Sequence, residues 1–104
     1  MFKLIVLLKK MENITEEEFA EHWLNIHVPL VMMMPGVRRY VVNLVKKPPN
    51  RESEFHGVVE LWFDDIVSMK KAFASSMGQI TERDSHKFTS DVLTLFVEER
   101  EIIG

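Results

Sequence analysis

The 104-residue chain contains no cysteine. Disulfides, thiolate nucleophiles and Cys-type zinc sites are excluded together. Glycine and proline are sparse, at four each, so sharp turns and helix breaks have few places to fall. No apolar run approaches the length of a membrane span, and the run over residues 4–8 is too short for a signal-peptide core. The expectation is a cytoplasmic protein with no membrane partner. The net charge of −3 is mildly acidic. Its basic pairs (Lys9 and Lys10, Arg38 and Arg39, Lys46 and Lys47, Lys70 and Lys71) are scattered, without the clustered basic face that nucleic acid requires. What is present is a globular composition, 46% hydrophobic and 28% charged. At this length it suits a single domain over 1–104 with one modest core.

Along the chain, "MFKLIVLLKK" predicts a first strand. Phe2, Leu4, Val6 and Leu8 lie on one face and Ile5 and Leu7 on the other. "NITEEEFAEHW" is a helix start, with Thr15 as N-cap, Glu18 completing a capping box and Ile14 and Phe19 placed as a hydrophobic staple. Phe19, Trp23, Ile26 and Leu30 recur at helical spacing and form the expected buried stripe. Pro29 should kink or end this helix, since an interior proline costs about 3 kcal/mol, and Pro35-Gly36 ends whatever remains. "VRRYVVNLV" predicts strand two and "FHGVVELWFDD" strand three, separated by the proline-broken loop "KKPPNRESE". Asp64 or Asp65 caps a second helix carrying Ile66, Met69 and Phe73, which Gly78 interrupts before "TERDSHKF" resumes it. "DVLTLFVEE" is strand four, giving the order β-α-β-β-α-β of a ferredoxin-like α+β fold with a four-stranded antiparallel sheet.

Such a fold packs its helices on one sheet face. The other face here is not polar, because Ile5, Leu7, Val58 and Trp62 fall on it. A large uncovered apolar face predicts an interaction surface, and the simplest partner is a second copy packed sheet against sheet in a homodimer.

The segment "EEFAEHWLNIHVPLV…MPGVRRYVV", followed by "GVVELWFDD", resembles the EthD-domain family of the dimeric α/β-barrel superfamily. Its most specific element is W-x-x-x-H-x-P-L leading to P-G-x-x-x-Y, here Trp23, His27, Pro29, Leu30, Pro35, Gly36 and Tyr40. The spacing of Asp84 and Phe88 adds to it. The resemblance implies a ferredoxin-like monomer, a barrel-forming dimer and a ligand cavity between sheet and helices. The family takes its name from a bacterial ether-degradation gene cluster, and the wider superfamily includes isomerases, cyclases and small monooxygenases. From the isomerase-like relatives it implies catalytic roles for His27, Tyr40 and His56, although many EthD-type sequences carry an acidic residue at the position of His56. Trp23, Leu30, Met34, Trp62 and Asp84 are the candidate ligand-binding residues.

Each candidate has a plainer alternative. His27 is a general acid or base, or a core histidine bonded to the Asn25 carbonyl that Pro29 leaves free. Tyr40, the only tyrosine, donates to a developing oxyanion or simply points its hydroxyl at solvent. Asp84 caps its helical segment with Thr81 as partner. Met32, Met33 and Met34 line an adaptable cavity or fill core and interface. His56, Glu60 and Trp62 share a strand face, but His56 and Glu60 lie about 13 Å apart at strand rise and cannot chelate one metal. His22 and His27, five apart on a helix, diverge. No metal site and no cofactor is expected. The leading function is a cofactor-independent isomerase, cyclase or oxygenase, or an accessory protein, acting on a hydrophobic carbonyl-bearing metabolite. The alternatives are haem handling, with a histidine as axial ligand and Trp62 against the porphyrin, and a non-catalytic metabolite-binding module.

Overall fold

A computed structural model describes residues 1–46 and 54–104. The loop expected over 46–54 lies largely outside the described residues. Strand β1 (Phe2–Lys10) is followed by helix α1 (Glu16–His22), a π-helical turn (Trp23–His27) and helix α2 (Val28–Met32). Strands β2 (Arg39–Leu44) and β3 (Gly57–Phe63) come next, then helices α3 (Ile66–Ala74) and α4 (Ser76–Ser85), and finally β4 (Thr89–Val97). The four strands form one antiparallel sheet in the order β2-β3-β1-β4. This is the α+β, ferredoxin-like architecture that the element order predicts.

The helix starts follow their local chemistry. Thr15 Oγ1 accepts the Glu18 N–H and the Glu18 carboxylate accepts the Thr15 N–H, each at 3.0 Å. Asp65, not Asp64, caps α3 by accepting the Ser68 N–H at 2.7 Å. Between α3 and α4 the break falls at Ser75, which ends one helix and caps the next through the Gly78 N–H. Contrary to the sequence expectation, Gly78 therefore does not interrupt the helix. It lies inside α4, where any Cβ would collide with the Ala72 and Phe73 carbonyl groups at the end of α3.

The long N-terminal helix also departs from expectation. It neither ends nor breaks at Pro29, which occupies the first turn of α2, where a missing N–H is tolerated. The turn just before it is π-helical, with the Val28 N–H bonded to the Trp23 carbonyl. The buried stripe is accordingly Phe19, Trp23, His27, Val31 and Met34, while Ile26 is exposed and Leu30 only half-buried. In a regular α-helix a four-residue spacing advances about 40° beyond a full turn each time. The extra residue in the π turn cancels this drift and keeps positions 19, 23, 27 and 31 against the sheet.

Register aligns the inner face into rows across the strands. Tyr40, Leu61, Leu4 and Phe96 form one row, and Val42, Val59, Val6 and Thr94 the next. Trp23 packs closely on this face because position 57 is glycine, whose absent Cβ would stand 2.6 Å from the indole. Leu4, Leu8, Phe19, Trp23, Phe63 and Phe88 make up the most buried part of the core.

Candidate functional site

The helices do not fill the space above the sheet. A cavity of about 440 Å³ remains, floored by Leu4, Val6, Val59 and Leu61 and walled by His27, Val31, Met34 and Tyr40. Thr81, Glu82 and Ser85 of α4, with His86 at its C-terminal end, supply its polar side. The volume is of the size that binds small molecules, about 300–1,000 Å³.

His27 is 91% buried and its Nδ1 lies 2.9 Å from Asp84 Oδ2. The same carboxylate receives a second imidazole, with His22 Nε2 at 3.1 Å from both of its oxygens. Phe88 completes the cluster, stacked on the His22 ring at 4.8 Å and tilted against the His27 ring at 5.0 Å. Burial pushes the His27 pKa down; Asp84 opposes this, and His22 adds a little to it. A neutral His27 donates Nδ1–H to Asp84 and keeps its Nε2 lone pair for the cavity it lines.

This arrangement replaces two expectations. His27 does not bond the Asn25 carbonyl, since Asp84 takes its Nδ1. Asp84 does not cap a helix with Thr81; it is buried within α4, and Thr81 Oγ1 donates to the Met77 carbonyl. His22 and His27 converge where an α-helical reading makes them diverge. The π turn between them is the cause, because it places residues five apart near the same azimuth.

Tyr40 lines the cavity beside Trp23. Its hydroxyl and the Trp23 Nε1–H are both buried, and among the described residues neither reaches a partner with hydrogen-bond geometry. Burial pushes the phenol up to about 12, and the neighbouring indole opposes that shift. Tyr40 is thus a protonated donor throughout the working pH range.

The remaining candidates separate. Met34 joins the cavity wall, whereas Leu30 and Trp23 are not among its lining residues. His56 is also absent from the lining: its Nδ1 accepts the Lys10 backbone N–H at 3.2 Å and its ring packs near Phe19. It lies just before β3, and its ring packs on the helix side beside Phe19, away from the strand face of Glu60 and Trp62. Trp62 lies on the opposite sheet face from His27. Lys3 and Arg39 stand over its ring at 4.4 and 4.5 Å, and its Nε1–H donates to Glu99. A haem held between a histidine and Trp62 is therefore not the geometry found. Sequence reasoning missed His22 and the polar wall of α4. The signal that would have found His22 is the fourfold recurrence of Phe19, Trp23, His27 and Val31 across a proline. Among the described residues no three His, Asp or Glu side chains are grouped to hold a metal ion, and no helix is long and apolar enough to cross a membrane.

Comparison with known proteins bears on the family. The EthD domain model matches residues 11–91. The crystal structure of an EthD family protein from Bacillus halodurans superposes with a TM-score of 0.83 at 31% identity, covering 96% of this chain and all of the other. An uncharacterized 11.0 kDa protein of the thcB-thcC intergenic region of Rhodococcus erythropolis is 28% identical over 85 residues, 82% of each chain. Two distant structures share the fold alone. A dimeric ferredoxin-like protein of unknown function from Bacteroides fragilis has a TM-score of 0.73 at 14% identity, covering 94% and 95% of the two chains. SnoaB, a cofactor-independent oxygenase from Streptomyces nogalater, has a TM-score of 0.70 at 11% identity, covering 98% and 95%. The chain belongs to the EthD domain family.

Proposed function

We propose that this protein binds a hydrophobic, carbonyl-bearing small molecule in the inner-face cavity and moves a proton on it without a cofactor, as an isomerase, cyclase or oxygenase-type enzyme. The observation that carries the reading is the Asp84-held His27, whose second ring nitrogen serves an otherwise largely apolar cavity. Fixing Nδ1–H on a carboxylate sets the tautomer and leaves Nε2 as the base. A carbon acid flanked by a carbonyl loses its proton to Nε2, and the negative charge gathers on the carbonyl oxygen. The Tyr40 phenol, which lines the same cavity, is the donor for that oxygen, since burial keeps its proton in place. SnoaB shows that chemistry of one such type, cofactor-independent oxygenation, is supported by the fold; at 11% identity it says nothing of this chain's substrate.

The experiment is α-carbon hydrogen–deuterium exchange in D2O, followed by NMR across a panel of enolisable aryl ketones and unsaturated lactones. Catalysed exchange of at least one class is expected, reduced about 10²- to 10⁴-fold in His27→Ala. Exchange untouched by His27→Ala contradicts the catalytic role. Saturable binding of the same compounds with no exchange favours the non-catalytic binding module.

The active unit is proposed to be a homodimer formed through the outer sheet face. Ile5, Leu7, Val41, Val58, Leu93 and Leu95 point to that side, and Leu93 and Leu95 remain more than two-fifths exposed in the monomer. The Bacteroides fragilis neighbour is described as dimeric. Leu93→Lys is expected to shift the mass in multi-angle light scattering from dimer to monomer; an unmodified protein that already runs as a monomer refutes the assembly.

A further inference from the structure

The Asp84 carboxylate is shared, and only one of its two imidazoles lines the cavity. The other, His22, is about one-fifth exposed and borders a shallow surface cleft with Glu18, Glu21, Asn25 and Ile26. Its ring is not loosely placed. Nε2 meets both carboxylate oxygens, the ring stacks on Phe88, and the π turn brings it to the same carboxylate as His27.

We infer that His22 is a positioning residue for the cavity base: from outside the cavity it donates Nε2–H to Asp84, and in its protonated form it keeps His27 neutral. One carboxylate accepts from both rings but balances only one imidazolium. Of the two, His22 is the more exposed, at 22% of its side chain against 11%, so an imidazolium is better solvated there than on His27. The groups facing this pair are Asp84 from α4, Glu18 and Glu21 beside His22, and Glu82 and His86 at the polar wall of the cavity. Asp84 acts as the orienting partner and not as a proton carrier.

The inference rests on His27 being the proton-handling group, but its test does not require turnover. Imidazole nitrogens of the 15N-labelled full chain are followed by long-range proton–nitrogen NMR across pH, with His27→Gln used for assignment. In the unmodified protein His27 is expected as the Nδ1–H tautomer, with a curve that bends where His22 titrates. His22→Gln keeps an N–H donor for Asp84 but cannot take the charge. It should retain the tautomer, abolish the bend and move the His27 midpoint upward. His22→Phe, which preserves the stack on Phe88 but removes the donor, should move the midpoint upward and weaken the tautomer preference. A His27 curve that is the same in His22→Gln and the unmodified protein overturns the inference. That failure is separate from failure of the functional reading, which is decided by exchange in His27→Ala.

Discussion

The two faces of the sheet both carry apolar side chains and use them differently. On the outer face one corner is closed by charge. Lys3 bridges Glu60 at 3.1 Å and Glu99 at 2.9 Å, Asn43 donates to Glu60, and Trp62 is held among them with its indole N–H on Glu99. These groups are satisfied within the chain. On the inner face the imidazoles are held by Asp84, but among the described residues the Tyr40 hydroxyl and the Trp23 indole N–H are buried without hydrogen-bond partners, beside the cavity. An orphaned buried donor costs about 1–3 kcal/mol. The contrast teaches where to look for chemistry: the face whose polar groups are complete is a surface to pack, and the face with donors left over is a place to bind.

The largest effect expected from breaking this contrast comes from Asp84→Ala. It removes the acceptor of two imidazoles at a site only 4% exposed, and should destabilise the fold by on the order of 3 kcal/mol in chemical denaturation. Next is Gly57→Val, which drives a branched side chain into the Trp23 indole and should cost about 1–3 kcal/mol while closing part of the inner face. A smaller effect is expected from pH. The His27 pKa is lowered by folding, so the unfolded chain takes up a proton first as pH falls below about 6.5. Stability should therefore decline with acidification through that range until His27 itself becomes charged. His27→Gln should flatten this slope in thermal melts recorded from neutral to mildly acidic pH. The smallest effect is Trp62→Phe, which loses one hydrogen bond to a half-exposed glutamate and should cost under about 1 kcal/mol. It should leave ligand binding unchanged, because it acts on the other face.

Much of this fold was legible because its elements announce themselves locally. The Thr15–Glu18 box, the alternation in β1 and the aspartate before α3 all act within a few residues, and each stands where the pattern places it. The site was legible only in part. His27 and Tyr40 were named on resemblance and do line one cavity. Uniform α-helical geometry makes His22 and His27 diverge, and one π turn reverses that conclusion. The sequence leaves Asp84 open between a helix cap and a ligand-binding residue, because its partners lie 57 and 62 residues away and no local pattern reports such a contact. His56 and Trp62 were misjudged for a related reason: strand alternation says which face a residue takes, but not where the strand begins or what covers the face.

The measurement that tests the account most directly is amide chemical-shift mapping with 1-acetonaphthone, an apolar aryl ketone. Saturable perturbations at Val6, Val31, Tyr40, Leu61 and His27, with Val58 and Leu93 of the outer face unmoved, are the predicted result. Perturbations centred on Val58, Leu93 and Trp62, or none along the inner face, would contradict it.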